Sequence, residues 1–196
     1  MQYIDYFEWI LNSDFLQKGT DALTMIEPAD AENPEQRVCI KSATNAISCM
    51  KLYRFNNLEE NGKVLFPFFN QSTVEPTAPH GLNSFCDYIL LVQHDNGLFV
   101  FFMEMKRGRH DDAEKQIEAS SSFFDYVLRS AERIKGENGF SDFDANQVQY
   151  RRIIINETYS NKRITKDKDI EDFDLNSTML HKCHLEFRPI GYCKRV

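Results

Sequence analysis

The chain has 196 residues, 42% hydrophobic and 27% charged, so it can bury a full core and is too apolar for a disordered chain. Its formal net charge of -7 excludes wholesale electrostatic capture of nucleic acid, and any such contact needs a local basic patch. No apolar run reaches the ~18 residues of a membrane span, and five cysteines, an odd number without short paired spacing, are most simply read as free thiols in a reducing cytosol.

Residues 2–15 have Ile4, Phe7, Ile10 or Leu11, and Phe15 at helical spacing, which predicts a helix. Residues 28–36 carry two prolines and read as a polar loop. Val38–Ile40, Ile47–Phe55 and Val64–Phe69 are strand-like, the last at an edge because of Pro67. Leu58–Lys63 turns, and residues 70–84, with Pro76, Pro79 and Gly81, form a loop. Two strongly apolar runs follow, CDYILLVQH and LFVFFMEMKR, separated by Asp95, Asn96 and Gly97. Asn-Gly between such runs predicts a type I′ hairpin, because both turn residues need positive φ. Residues 111–135 read as a long helix, capped by Asp111 or Asp112 and ended by Gly136 and Gly139. Val148–Asn156 is a strand, residues 157–174 a charged loop, and Leu180–Phe187 with Ile190–Cys193 closing strands. One α/β domain over residues 1–196 is expected, its mixed sheet built on the hairpin and packed by the two helices.

With Asn96 and Gly97 as the loop, Asp95 pairs with Leu98, Asp87 with Lys106, and Ile89 with Glu104. Side chains alternate along a strand, so Asp87, Glu104 and Lys106 share one face at one end of the hairpin. The rest of both faces is apolar, as in a strand covered on both sides. Charges there are costly unless paired or bound to metal. Two carboxylates suit Mg²⁺, a hard ion that keeps several waters, and a lysine beside them can orient water or offset developing charge. The competing reading is a buried ion pair between Asp87 and Lys106 with Glu104 at a solvated strand end.

An Asp, a turn, a Glu-x-Lys on the next strand and then a helix resemble the PD-(D/E)XK nuclease superfamily, whose fold is that of restriction endonucleases. The matching segment is CDYILLVQHDNGLFVFFMEMKRG with the helix after it. The resemblance implies a restriction-endonuclease-like mixed sheet flanked by helices, and Mg²⁺- or Mn²⁺-dependent hydrolysis of DNA, or of RNA. It implies Asp87 and Glu104 as metal ligands joined by the Met105 carbonyl, and Lys106 and Gln116 as catalytic partners. Glu8 is the candidate for a further glutamate from the first helix. The sequence departs from the family at Cys86, where a proline is usual, and at Ser120, where one branch has tyrosine. A catalytically weak module acting in binding or regulation is the alternative, and a homodimer or larger assembly stays open.

Lys106, Arg107, Arg109 and His110 form a basic cluster beside this site that could meet phosphates. Arg151-Arg152 and Lys162-Arg163 with Lys166 and Lys168 read as solvated charge. His181, Cys183, His184 and Cys193 match no zinc spacing. No leader opens the chain, so a cytoplasmic, non-membrane protein is expected.

Overall fold

The hairpin around residue 96 lies at the centre of a five-stranded sheet. The computed structural model describes residues 2–18, 23–28, 36–42, 47–55, 85–94, 97–107, 113–136, 142–157, 170–175 and 184–187. The hairpin strands are β4 (Tyr88–His94) and β5 (Gly97–Arg107). β3 (Ile47–Tyr53) runs antiparallel to β4, and β6 (Val148–Glu157) runs parallel to β5. β8 (His184–Phe187) lies parallel beyond β6, and the order is β3-β4-β5-β6-β8. A second sheet joins β1 (Thr24–Glu27), β2 (Gln36–Ser42) and β7 (Ile170–Leu175) in the order β1-β2-β7. The fold is α/β, with a mixed sheet.

Both faces of β4 and β5 are apolar, so both must be covered. Helices α1 (Tyr3–Ile10) and α2 (Ala113–Ile134) cover one face. There Ile4, Phe7, Ile117 and Phe124 pack on Ile89, Leu91, Val100 and Phe102. The Phe7 and Phe124 rings stack with centroids 5.2 Å apart. The second sheet covers the other face, where Met25, Val38 and Ile40 meet Leu90, Val92, Phe101 and Met103. The two helices are also tied directly, because the Tyr6 hydroxyl donates to the Ala131 carbonyl at 2.5 Å in a buried setting. Tyr6→Phe is expected to cost about 1 kcal/mol, read as a lower urea midpoint at unchanged slope.

The hairpin register corrects the sequence expectation. Gly97 pairs with His94 and Tyr88 with Met103, so Gly97 is already in the strand and not in the loop. The residues of the expected type I′ turn, apart from Gly97, lie outside the described residues. Asp87 does not stand opposite Lys106; one step beyond Tyr88 it falls opposite Glu104. The offset is two residues, a full strand period, so every side chain keeps its expected face. Two contacts hold this register. Gln93 Nε2 donates to the Gly97 carbonyl at 2.9 Å. Gly97 also lets another backbone approach, since a Cβ there would stand 3.2 Å from the Gln147 carbonyl oxygen. The left-handed glycine among the described residues is Gly136, with φ 94°, where α2 ends as expected.

Elsewhere the boundaries differ for local reasons. The first helix was expected to reach residue 15 but stops at Ile10. Leu11 is extended at φ -81° and ψ 138°. The Asn12 side chain then accepts from the Asp14 amide at 2.9 Å and starts a separate 3-10 turn, Ser13–Phe15. β1 was not expected, and β7 falls mostly within the expected loop 157–174. The acidic sequence IEDFDL has poor strand propensity, which parallel pairing with β2 overrides. Val64–Phe69, Leu58–Lys63, residues 70–84, Asp111, Asp112, Gly139 and Ile190–Cys193 lie outside the described residues. Among the described residues no helix is long and apolar enough to cross a membrane. Cys39, Cys49 and Cys86 are free thiols.

Candidate active site

Asp87 sits one residue before β4, where the strand ladder has not begun, and Glu104 and Lys106 alternate along β5. Asp87 and Glu104 clasp each other through the backbone. The Asp87 amide donates to Glu104 Oε2 at 3.0 Å, and the Met105 amide donates to Asp87 Oδ2 at 2.8 Å. Lys106 Nζ meets Glu104 Oε1 at 2.5 Å and donates to Gln116 Oε1 at 2.6 Å. Thus Asp87, Glu104, Lys106 and Gln116 come together. Gln116 sits in the first turns of α2 and looks back at the lysine, as expected from the short connection after β5.

The electrostatics are strained by burial. The Glu104 side chain is 1% exposed, while that of Lys106 keeps 22%. Burial is the main reason that the Glu104 carboxyl is pushed up to about 8, and the charge of Asp87 adds to it. Lys106 and the Asp87 amide pull the other way without cancelling the effect. Two carboxylates and a lysine are thus held close together, and burial favours the neutral form of Glu104.

The donor set fits a small hard divalent ion. Asp87 and Glu104 offer carboxylate oxygens. The N–H and C=O of one strand residue point to the same side, so the Met105 carbonyl faces the side from which its amide reaches Asp87. Among the described residues no group of three or more His, Cys, Asp or Glu residues gathers for a metal. Two carboxylates and a carbonyl leave positions for water, as Mg²⁺ requires.

Other sequence candidates fall elsewhere. Glu8 pairs with Lys51 of β3 at 2.9 Å, and its charge is felt at Tyr53, not at Glu104. Arg151 is not a solvated surface charge. It is buried on the opposite face, its guanidinium 4.9 Å from the Phe99 ring centroid and bonded to the Tyr150 carbonyl and Gln149 Oε1. Arg152 is half-buried. Arg109, His110, Lys162, Arg163, Lys166, Lys168, His181, Cys183 and Cys193 lie outside the described residues, as do the side chains of Arg107 and His184. The Cys86 thiol is buried and pushed up to about 12, which suits packing and not nucleophilic attack.

One contributor was missed. Ser120, fully buried on α2, accepts from the Cys86 amide at 2.8 Å and donates to the Gln116 carbonyl at 2.9 Å. The sequence hints are its place four residues after Gln116, on the same helix face, and its standing where one branch of the resembled family has tyrosine. No protein-family model, curated protein or solved structure matches this chain.

Proposed function

We propose that this chain is a metal-dependent nuclease of the restriction-endonuclease-like, PD-(D/E)XK type, hydrolysing phosphodiester bonds of DNA, with RNA as the second substrate class. The observation that carries the reading is the clasp of half-buried Asp87 with buried Glu104, with Lys106 bonded to it at the end of a central strand. Asp87, Glu104 and the Met105 carbonyl would hold Mg²⁺ or Mn²⁺. Such an ion, when bound, lowers the pKa of a bound water and offsets charge on a phosphoryl oxygen. Lys106 remains partly exposed, so its ammonium can donate to a water or to a phosphate oxygen. Gln116 acts through Lys106, accepting a hydrogen bond from one of its three N–H groups and fixing the direction of the others.

The net charge of -7 favours a second reading, a module of the same fold with weak catalysis that acts in binding or regulation. The two readings separate on cleavage in Mg²⁺ or Mn²⁺ with silence in chelator. Lys106→Ala divides the roles further. It should leave Mn²⁺ affinity within a few-fold, because the ion replaces the lysine as partner of Glu104. Turnover should fall by roughly 100- to 1,000-fold, the loss typical for one aimed donor. Wild-type chain that binds neither ion and cuts neither DNA nor RNA would sink the nuclease reading.

A further inference from the structure

We propose that Ser120 is a positioning residue for the metal ligand Asp87, a role that rests on the nuclease reading above. The amide of Cys86 immediately precedes Asp87, and neither residue belongs to β4. Their amides are held by side chains, Cys86 by Ser120 Oγ at 2.8 Å and Asp87 by Glu104 Oε2 at 3.0 Å. The approach of Asp87 is therefore set from two sides, by the helix above and by the strand beside it.

Serine is a poor choice for a fully buried helix interior unless its hydroxyl is used. Here it is used twice, donating to the Gln116 carbonyl at 2.9 Å while accepting from Cys86. The hydroxyl proton is committed to that carbonyl, so the oxygen lone pairs face the Cys86 amide in one orientation. Gln116, one turn earlier, carries Lys106 on its side chain. A single turn of α2 thus aligns both halves of the site: Lys106 through the Gln116 amide group, and Asp87 through Ser120.

Without the hydroxyl, the Cys86 amide is buried with no acceptor, and the segment moves to find one. Asp87 then loses its aim at the Met105 amide and at the ion. A supporting residue of this kind changes metal affinity by roughly 10- to 100-fold.

The test is Mn²⁺ titration of the purified full chain by electron paramagnetic resonance, with melting curves and amide exchange of Cys86 and Asp87 on the same samples. Ser120→Ala should bind Mn²⁺ about 10- to 100-fold more weakly and lose protection at Cys86. Ser121→Ala is the control, because its hydroxyl bonds only the Glu118 carbonyl on the exposed side; it should bind as wild type. Should the alanine variant not fold, Ser120→Cys decides. It is nearly the same size but a weak hydrogen bonder, and it should show a loss of the same direction. Folded Ser120 variants with wild-type Mn²⁺ affinity would overturn the role of Ser120 and leave the metal site standing. A wild-type chain that binds no Mn²⁺ at millimolar concentration would overturn both.

Discussion

Asp87→Ala and Glu104→Gln are each expected to lower Mg²⁺-dependent cleavage by on the order of a thousandfold, the several kcal/mol that a bound ion supplies to the transition state. The two variants should differ in stability. Asp87→Ala removes the acceptor of the Met105 amide and leaves that amide without its partner, at about 1–3 kcal/mol. Glu104→Gln keeps the shape and the oxygen that accepts from the Asp87 amide, while Lys106 keeps Gln116. Because burial disfavours the charged form of Glu104, the glutamine variant should melt no lower than wild type above pH 8 in chelator. A purely structural ion pair predicts the opposite pattern, with roughly 3–5 kcal/mol lost when one partner goes and no cleavage to lose. Cleavage assays and melting curves on the same preparations distinguish them. Variants that cut as well as wild type would remove both carboxylates from the chemistry.

The metal-free chain is expected to lose stability as pH rises from about 4.5 to about 8, the interval between the ordinary glutamate value and that of folded Glu104. The folded state keeps the Glu104 proton in that window and the unfolded chain releases it. The stabilisation is complete below 4.5, declines through the window, and is gone above about 8. The full gap corresponds to roughly 5 kcal/mol as an order of magnitude. Mg²⁺ or Mn²⁺ should restore melting temperature strongly at pH 8 and little at pH 5, where the ion must displace a proton. Subtracting the profile of Glu104→Gln removes all other titrating groups. Identical profiles for wild type and variant would mean that Glu104 ionises freely and that the site has no appetite for a cation.

Much of the site was legible because strand alternation is strict. Asp87, Glu104 and Lys106 share a face whichever even register the hairpin adopts, so the grouping survived an error in pairing. The partners within the group were not legible. The loop position depends on Gln93 and on the close approach of Gln147 to Gly97, and Gln147 is 50 residues further along the chain. Gln116 was readable as a residue one short connection away from Lys106. Ser120 was not, since nothing local says that a helical serine will be buried over Cys86. Glu8 failed for a similar reason: α1 places it beside Lys51, a partner from β3 that helical periodicity does not identify. The second sheet was missed because β1 is short and β7 is rich in acids, so cooperative pairing outweighed weak local preference.

The hairpin has a near-twin. Sliding β5 along β4 by two residues would put Asn96 and Gly97 in the loop and set Asp87 against Lys106 as an attractive pair. The same apolar stripes would be buried, so hydrophobic patterning does not separate the two arrangements. What separates them is the Gln93 bond to Gly97, the fit of Gly97 beside Gln147, and the mutual bonds of Asp87, Glu104 and Met105. The slipped hairpin differs little in burial, and the contacts of Gln116 with Lys106 and of Ser120 with Cys86 add to what favours the observed register. The carboxylates proposed to hold the metal also help to specify the pairing of the strands that carry them.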